Sequence, residues 1–426
     1  MMKTLPPALE YLEVPQKAFP NALSTATVRK VKGKPQKVPA KIALPPQQKV
    51  ALPSTLKEFK LGRLDLDKSD PAKFDFDASD LPNLDTLRVS GNRSLRLSGK
   101  FPSNLTTMRL SYVSKLDLTH LDSLQSLTRL EITGGIGTHE FTFKLPESLK
   151  FLEVSTAELR KIHVNAPNLQ ELTLYGNEYG VLNESNFVIP MNLKKLSLGM
   201  CDIEQINVSL PSTLTELHLE SNALQLVSDL PVGLKHLNLA LNPLGDVADG
   251  LPSVFPPELE TLDLSDSGVN EKWIRKLNLG SLTNFKSIDL SFNKFNQLDP
   301  SCFPESLVVL DMHKAGVWKL KTDFKSLVNL QQLDLSDNMV GPYSDSFKKK
   351  GGIFGDAIRF VSIRDTGIWE STAKALYEEL LQKPDFEFLD IPEDMVPKFK
   401  TPSGLKIKKI GCLCEGYAKG GLFDFL

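Results

Sequence analysis

The stretch LPSTLTELHLESNALQLVSDLPVGLKHLNLALNPL at 210–244 decides the fold. It contains one pattern twice, L-x-x-L-x-L followed three residues later by Asn, with Leu-Pro ahead of it. The last two apolar positions of L-x-x-L-x-L alternate, so they point to one side of a short strand. Such a strand cannot bury two or three leucines alone. Stacking the next copy beside it makes a parallel sheet with a shared core.

The same unit extends outward in both directions. It reads LPSTLKEFKL at 52–61, LPESLKFLEV at 145–154, FPPELETLDL at 255–264, FPESLVVLDM at 303–312 and SLVNLQQLDL at 326–335. With the first apolar residue as anchor, copies fall at 56, 84, 105, 127, 149, 169, 193, 214, 234, 259, 285, 307, 330, 358 and 386. The mean spacing is about 23.6 residues, within the 20–29 window of one repeat class. Asn stands three residues after the strand at 92, 177, 222, 242, 293 and 338, with Cys201 in the equivalent place. A buried Asn there can bond the unpaired backbone of the turn. Pro lies three residues before the anchor at 53, 102, 146, 190, 211, 231, 256 and 304, suited to a strand start because it offers no N–H.

These residues resemble the leucine-rich-repeat superfamily, L-x-x-L-x-L-x-x-N/C-x-L. The Leu-Pro-x-x-Leu variant resembles arrays in fungal F-box proteins and some microbial effectors, and FNKFNQLDPSCFPESLVVLDM at 292–312 resembles the related FNIP repeats. The resemblance implies an α/β solenoid, or horseshoe, with a concave parallel β-sheet and a mostly extended or short helical convex side. The organisation expected is degenerate N-terminal repeats and a basic linker at 1–49, the array at 50–392, and a C-terminal cap and tail at 393–426. FPNALSTATV at 19–28 reads as a degenerate repeat strand, and residues 15–57 carry nine Lys or Arg and no acid, a solvated linker or a basic arm. Short helices are expected at 270–279 and at 370–382, the latter capped by Ser371, with Ala375, Leu376, Leu380 and Leu381 as its apolar face. The lysine run Lys348–Lys350 is expected in a loop.

Hydrophobic residues at 41% allow a continuous core, and the aromatics are mostly core-filling Phe. A net charge of −2 gives no global attraction to nucleic acid or anionic membrane, so neither is expected as a partner. No apolar run is long enough to span a bilayer. The four cysteines, Cys201, Cys302, Cys412 and Cys414, form no paired clusters, and no signal-peptide pattern opens the chain. The compartment expected is therefore intracellular, cytoplasmic or nuclear, and the sequons at Asn92, Asn104, Asn183 and Asn207 are expected to be chance matches.

No nucleophile elbow, phosphate loop or zinc-protease helix occurs, so neither catalysis nor a cofactor is expected. Cys412 and Cys414 have no His nearby, and no metal is assigned. The concave face supplies the candidate residues. Arg88 and Arg109 occupy the central outward position of adjacent copies, with Arg129 one position earlier in the next. Asp263, Asp289, Asp311 and Asp334 occupy that central position in four consecutive copies. His218 with Glu216 and Glu220, and His236, fall on adjacent strands; Tyr175 is the clearest exposed aromatic, with Phe151, Phe360 and Phe388 behind it. The acidic row reads either as a binding strip for a protein partner with a basic segment or as ordinary Leu-Asp-Leu-Ser repeat chemistry. The function expected is a protein-binding scaffold or adaptor. The alternatives are the substrate-recognition subunit of a ubiquitin ligase, whose F-box this chain lacks, and, disfavoured, an enzyme.

Overall fold

The structure is a computed structural model. It describes residues 53–62, 81–90, 101–113, 118–246, 250–252, 254–343, 352–392 and 394–396, with the backbone strands at 9–14, 25–30, 36–39, 74–76, 95–97, 115–116 and 409–411. Lys348–Lys350, Cys412, Cys414, Asn92 and most of the basic residues at 15–57 lie outside this set. Two units divide the chain, Met1–Leu214 and Thr215–Leu426.

Every one of the fifteen anchors is buried, from Leu56 at 0% to Phe386 at 2% exposure. In the first unit the parallel ladder runs Leu9–Val14, Glu58–Leu61, Thr86–Ser90, Thr107–Ser111, Arg129–Thr133, Phe151–Ser155, Glu171–Thr173 and Lys195–Ser197. In the second it runs Glu216–His218, His236–Asn238, Thr261–Asp263, Ser287–Asp289, Val309–Asp311, Gln332–Asp334, Phe360–Ser362, Phe388–Asp390 and Lys409–Gly411. Neighbours pair without slippage, Leu217 with Leu237 and Leu237 with Leu262, so the inward leucines form continuous rows. A one-residue slip would turn each row to the other face. Short return strands, such as Val181–Leu182 beside Gln205–Ile206, lie on the far side of the core.

One expected repeat strand is something else. Thr25–Lys30 runs antiparallel to Leu9–Val14, and Gln36–Pro39 runs antiparallel to Thr25–Lys30. This hairpin pairs the outer edge of Leu9–Val14, which would otherwise present unpaired N–H and C=O groups. Both expected helices form. Glu271–Lys276 is capped by Asn270, whose side chain accepts from Lys272 N at 3.0 Å. The longer helix, Glu370–Leu381, starts one residue before Ser371, after Trp369, whose carbonyl accepts from Thr372 N and Ala373 N. Its buried face is Ala373, Leu376, Tyr377 and Leu380, and Ala375 is exposed.

The buried Asn ladder forms as its chemistry requires. Asn293 accepts from Ser267 N and Val269 N at 3.2 and 3.0 Å and donates to Leu264 O and Leu290 O at 2.8 and 3.0 Å. Asn177 makes the equivalent set, Asn242 and Asn338 accept from Leu224 N and Val317 N and donate to both repeats, and Cys201 Sγ donates to Leu174 O at 2.9 Å. A second ladder was not read from the sequence. The residue before the anchor reaches back to the previous repeat: Asn83 Nδ2 to Ser54 O at 2.8 Å, Asn168 Nδ2 to Glu147 O at 2.9 Å, Thr213 Oγ1 to Leu193 O at 2.6 Å, Asn329 Nδ2 to Glu305 O at 2.9 Å. The recurrence of Asn, Ser or Thr at that place was its signal.

Asn293→Ala removes one side chain and orphans backbone groups of two repeats. Unfolding free energy of the second unit is expected to fall by about 2–4 kcal/mol in denaturant melts, since each buried group left unpaired costs about 1–3 kcal/mol. Leu217→Asp puts a charge into rows shared with Leu237, and hydrogen exchange should show protection lost at His236–Asn238 as well as at Glu216–His218.

Candidate interaction surface

Alternation leaves two residues of each strand on the face turned from the leucine core. In the second unit the central ones form an in-register row: Asn238, Asp263, Asp289, Asp311, Asp334, Ser362 and Asp390. The expected alignment of the four acids is therefore present, but their expected exposure is not. Asp311 is 4% and Asp334 0% exposed, and Asp263 and Asp289 are half-buried. Each carboxylate folds back to accept the backbone N–H two residues on: Ser265 N to Asp263 at 2.9 Å, Ser291 N to Asp289 at 2.8 Å, His313 N to Asp311 at 2.8 Å, Ser336 N to Asp334 at 2.7 Å. Asp and Asn favour this turn geometry, and Asn238 makes the same bond to Ala240 N. The Ser265 and Ser336 hydroxyls donate to the same acids. These are bonds of the repeat turn, made at Leu-Asp-Met-His in 310–313 as well as at the copies that end in Ser.

The row is also crowded with like charge. Burial raises Asp263, and burial followed by repulsion from Asp263 pushes Asp289 up to about 7. Burial, then Asp289 and Asp334, raise Asp311 well above the usual carboxylate range. Nearby basic side chains are engaged: Arg364 lies 3.8 Å from Asp337, 3.7 Å from Asp365 and 3.5 Å from Asp390, and the His313 ring lies 2.8 Å from Ser336 Oγ and 3.3 Å from Asp337.

In the first unit Lys60, Arg88, Arg109, Glu131 and Glu153 share the central row. The arginines are not a free basic strip. Arg88 Nε lies 3.8 Å from Glu58, and Arg109 Nε lies 2.9 Å from Glu131 without hydrogen-bond alignment. Arg129 pairs with Glu131 and sits 3.6 Å over the Phe151 ring. The glutamates that face Arg88 and Arg109, Glu58 and Glu131, stand on the adjoining strands.

His236 Nδ1 lies 3.0 Å from Thr261 Oγ1, and His218 Nε2 lies 3.7 Å from Glu216. Glu220 is half-buried. Among the described residues no group of three or more His, Cys, Asp or Glu could hold a metal ion. Tyr175 is partly exposed and its hydroxyl contacts Met200 Sδ. Phe360 and Phe388 stack at 5.5 Å.

The surface the sequence reading missed is the turn just beyond each strand. One residue there is left-handed in repeat after repeat: Tyr112, Gly134, Thr156, Gly176 and Met200 in the first unit, and Ser221, Leu241, Asp266, Phe292, Lys314, Asp337 and Asp365 in the second. Its N–H donates to the next repeat, as Leu241 N does to Ser265 O at 2.8 Å and Phe292 N to His313 O at 2.9 Å. Gly, Asn and Asp suit positive φ, and a bulky residue there is an outlier. Yet Tyr112, Met200, Leu241 and Phe292 adopt φ of 53–56° with about half of each side chain's surface in solvent. The signal was in the sequence, as a large apolar residue directly before the ladder residue in GMC at 199–201, ALN at 240–242 and SFN at 291–293.

The repeat and the in-register parallel strands are those of a leucine-rich-repeat array. The chain is a leucine-rich-repeat protein. No family model matches it. Among curated proteins, Toll-like receptor 2 type-2 of Gallus gallus is 23% identical over 60% of this chain and 37% of the relative. Toll-like receptor 8 of Homo sapiens is 29% identical over 50% and 18%, and osteomodulin of Mus musculus 26% over 42% and 44%. This leucine-rich-repeat chain thus spans less than half the length of each. Among solved structures, YopM from Yersinia enterocolitica WA-314 covers 85% of this chain and 82% of its own at 19% identity and a TM-score of 0.46. A TLR13–ssRNA13 complex covers 80% and 62% at 16% identity and a TM-score of 0.47.

These relatives correct the expected compartment. Toll-like receptors and osteomodulin are extracellular or secreted proteins, which points away from the intracellular reading. The cysteine argument behind that reading carries no weight, because Cys201 is buried as a ladder residue whatever the surrounding redox potential. No helix among the described residues is long and apolar enough to cross a membrane.

The acidic row sets a pH dependence. A carboxyl whose folded pKa is raised holds its proton to higher pH in the folded state, so its contribution to stability is full below the unfolded value and is lost as pH rises through the folded one. For Asp289 that window is from 3.8 to about 7. Glu260, held down to about 2 chiefly by Lys286 and Lys235, acts the other way only at lower pH, and it is solvent-screened. The second unit is expected to melt higher at pH 5 than at pH 7.5. Asp289→Asn, which keeps the turn acceptor, should raise stability at pH 7.5 and flatten that slope in thermal melts.

Proposed function

We propose that the chain is a protein-interaction module that holds its partner with the exposed turn residues bordering its parallel ladder, above all Leu241 and Phe292 in the second unit. The observation that carries this is the doubly unfavourable placement of these side chains. A non-glycine residue in the left-handed region costs about 1–2 kcal/mol. Leaving a large apolar side chain in water forgoes roughly another 1.5–3 kcal/mol of burial. The same position takes Asp266 and Asp337 in neighbouring repeats, so the turn itself needs neither Leu nor Phe. Phe292 is held edge-on to the His313 ring at 5.1 Å, with Lys314 Nζ 5.4 Å from its centroid, an aromatic already fixed in place. Aromatic anchors of this kind dominate binding energy at protein interfaces. That the curated relatives include receptors agrees with an interaction role.

A basic partner segment along Asp263, Asp289, Asp311 and Asp334 is not part of this proposal, because those carboxylates are committed to their own turns. No observation favours the ubiquitin-ligase reading.

The test is a Leu241→Gly, Phe292→Gly double variant. Relief of positive φ offsets the added chain entropy of Gly, so stability should stay within about 1 kcal/mol of the parent. Proteins crosslinked to the parent chain in the extracellular fraction should be lost from the double variant. They should be retained by Val328→Ser, which alters an exposed apolar residue at the opposite end of a strand. An unchanged crosslinked set in a folded double variant overturns the proposal.

A further inference from the structure

The relatives' compartment reopens the sequons. Two of them, Asn183-Glu184-Ser185 and Asn207-Val208-Ser209, are brought side by side by the fold of the first unit. Val181 pairs with Gln205 and Leu182 with Ile206, and Asn207 N donates to Leu182 O at 2.8 Å, so the two asparagines follow at the matching place on neighbouring return strands. Asn207 and Ser209 are exposed, as are Glu184 and Ser185. Asn183 turns its side chain toward its own sequon: its Oδ1 accepts from Ser185 N at 2.9 Å and Ser185 Oγ at 2.5 Å, and its Nδ2 makes one long bond to Val181 O at 3.3 Å. One amide hydrogen can therefore be replaced without removing that bond. These strands belong to the return side, away from the parallel ladder and its turns.

Asn104 is the contrasting case. It stands directly before the anchor Leu105, which is 0% exposed, and its Oδ1 is buried. It occupies the place where Asn83, Asn168 and Asn329 use Nδ2 to bond the previous repeat. Its sequon hydroxyl, Thr106 Oγ1, is bonded to Asp85 O at 3.0 Å. A sugar on that nitrogen would stand where the other repeats make their ladder contact, beside a buried Oδ1.

We propose that Asn183 and Asn207 are N-glycosylation sites, forming a glycan strip on the return side of the first unit, and that Asn104 is not one. The donor is a polyprenyl-pyrophosphate-linked oligosaccharide. The side-chain Nδ2 forms a bond to the sugar C1, the bond from C1 to the phosphate oxygen breaks, the polyprenyl pyrophosphate leaves, and the amide gives up one proton to a base. A bulky, solubilising group of this kind needs a surface position.

The test is translation of the full chain, behind a heterologous secretion signal, in the presence of microsomes, and in parallel its secretion from cultured animal cells. Peptide-N-glycosidase in ¹⁸O water then marks each occupied Asn by mass. Label at Asn207 and Asn183, its loss in Asn183→Gln, Asn207→Gln, and no label at Asn104 in secreted protein are the expected results. Absence of label at both Asn183 and Asn207 in the microsomal product overturns the proposal, as does label at Asn104 equal to theirs in secreted protein. The microsomal arm reads the acceptors even where secretion fails.

Discussion

The structure depends on how each repeat satisfies its backbone at the point where the chain leaves the strand and turns through the core. Those N–H and C=O groups face leucine, not water, and leaving them unpaired would be costly. One Asn side chain, with an acceptor and two donor hydrogens, answers the demand for two repeats at once. Asn242 takes Leu224 N from the repeat before and returns its Nδ2 hydrogens to Leu219 O and Leu239 O, one in each repeat. Such a repeat is complete only when its neighbour supplies the side chain. Where Asn gives way, the bond set contracts: Ser267 Oγ reaches Leu239 O, Thr366 Oγ1 reaches only its own Ile363 O, and Ala315 offers no side-chain bond at that place. The second ladder, from the residue before the anchor, does the same work at the start of the strand.

What could be read from the sequence divides along this line. Anchor positions and strand register were legible because burial punishes any slip, so pattern and structure must agree. The row of Asp263, Asp289, Asp311 and Asp334 was legible as a row for the same reason. Its exposure was not, because that turns on whether a carboxylate extends into solvent or folds back on the amide two residues later, and both fates share one sequence. The pairing of Arg88, Arg109 and Arg129 was not legible for another reason. Each has a compensating group on an adjacent strand, Glu58, Glu131 or the Phe151 ring, and only the register brings them together. Ser371 misled as a helix start because Trp369 had already turned its carbonyl toward Thr372 N and Ala373 N. Cysteine spacing misled on the compartment because a ladder cysteine answers to hydrogen bonding rather than to redox poise.

The same accounting locates the chemistry that folding leaves free. Along the ladder of the second unit the outward side chains are largely consumed: the acids hold their turns, Ser287 and Val309 are buried, and Phe360 stacks on Phe388. The residues beyond the strand are constrained only in backbone, since their N–H must reach the next repeat while their side chains face water. That is a recurrent position where conformation is fixed and side-chain identity is not. Variation there can follow a partner without disturbing either ladder. In the first unit the return strands provide a second such place, with Asn183 and Asn207 outside both ladders and Met200 at the turn between them in sequence. A group attached at the return strands and a partner held at the turns would each act on residues that the core does not use.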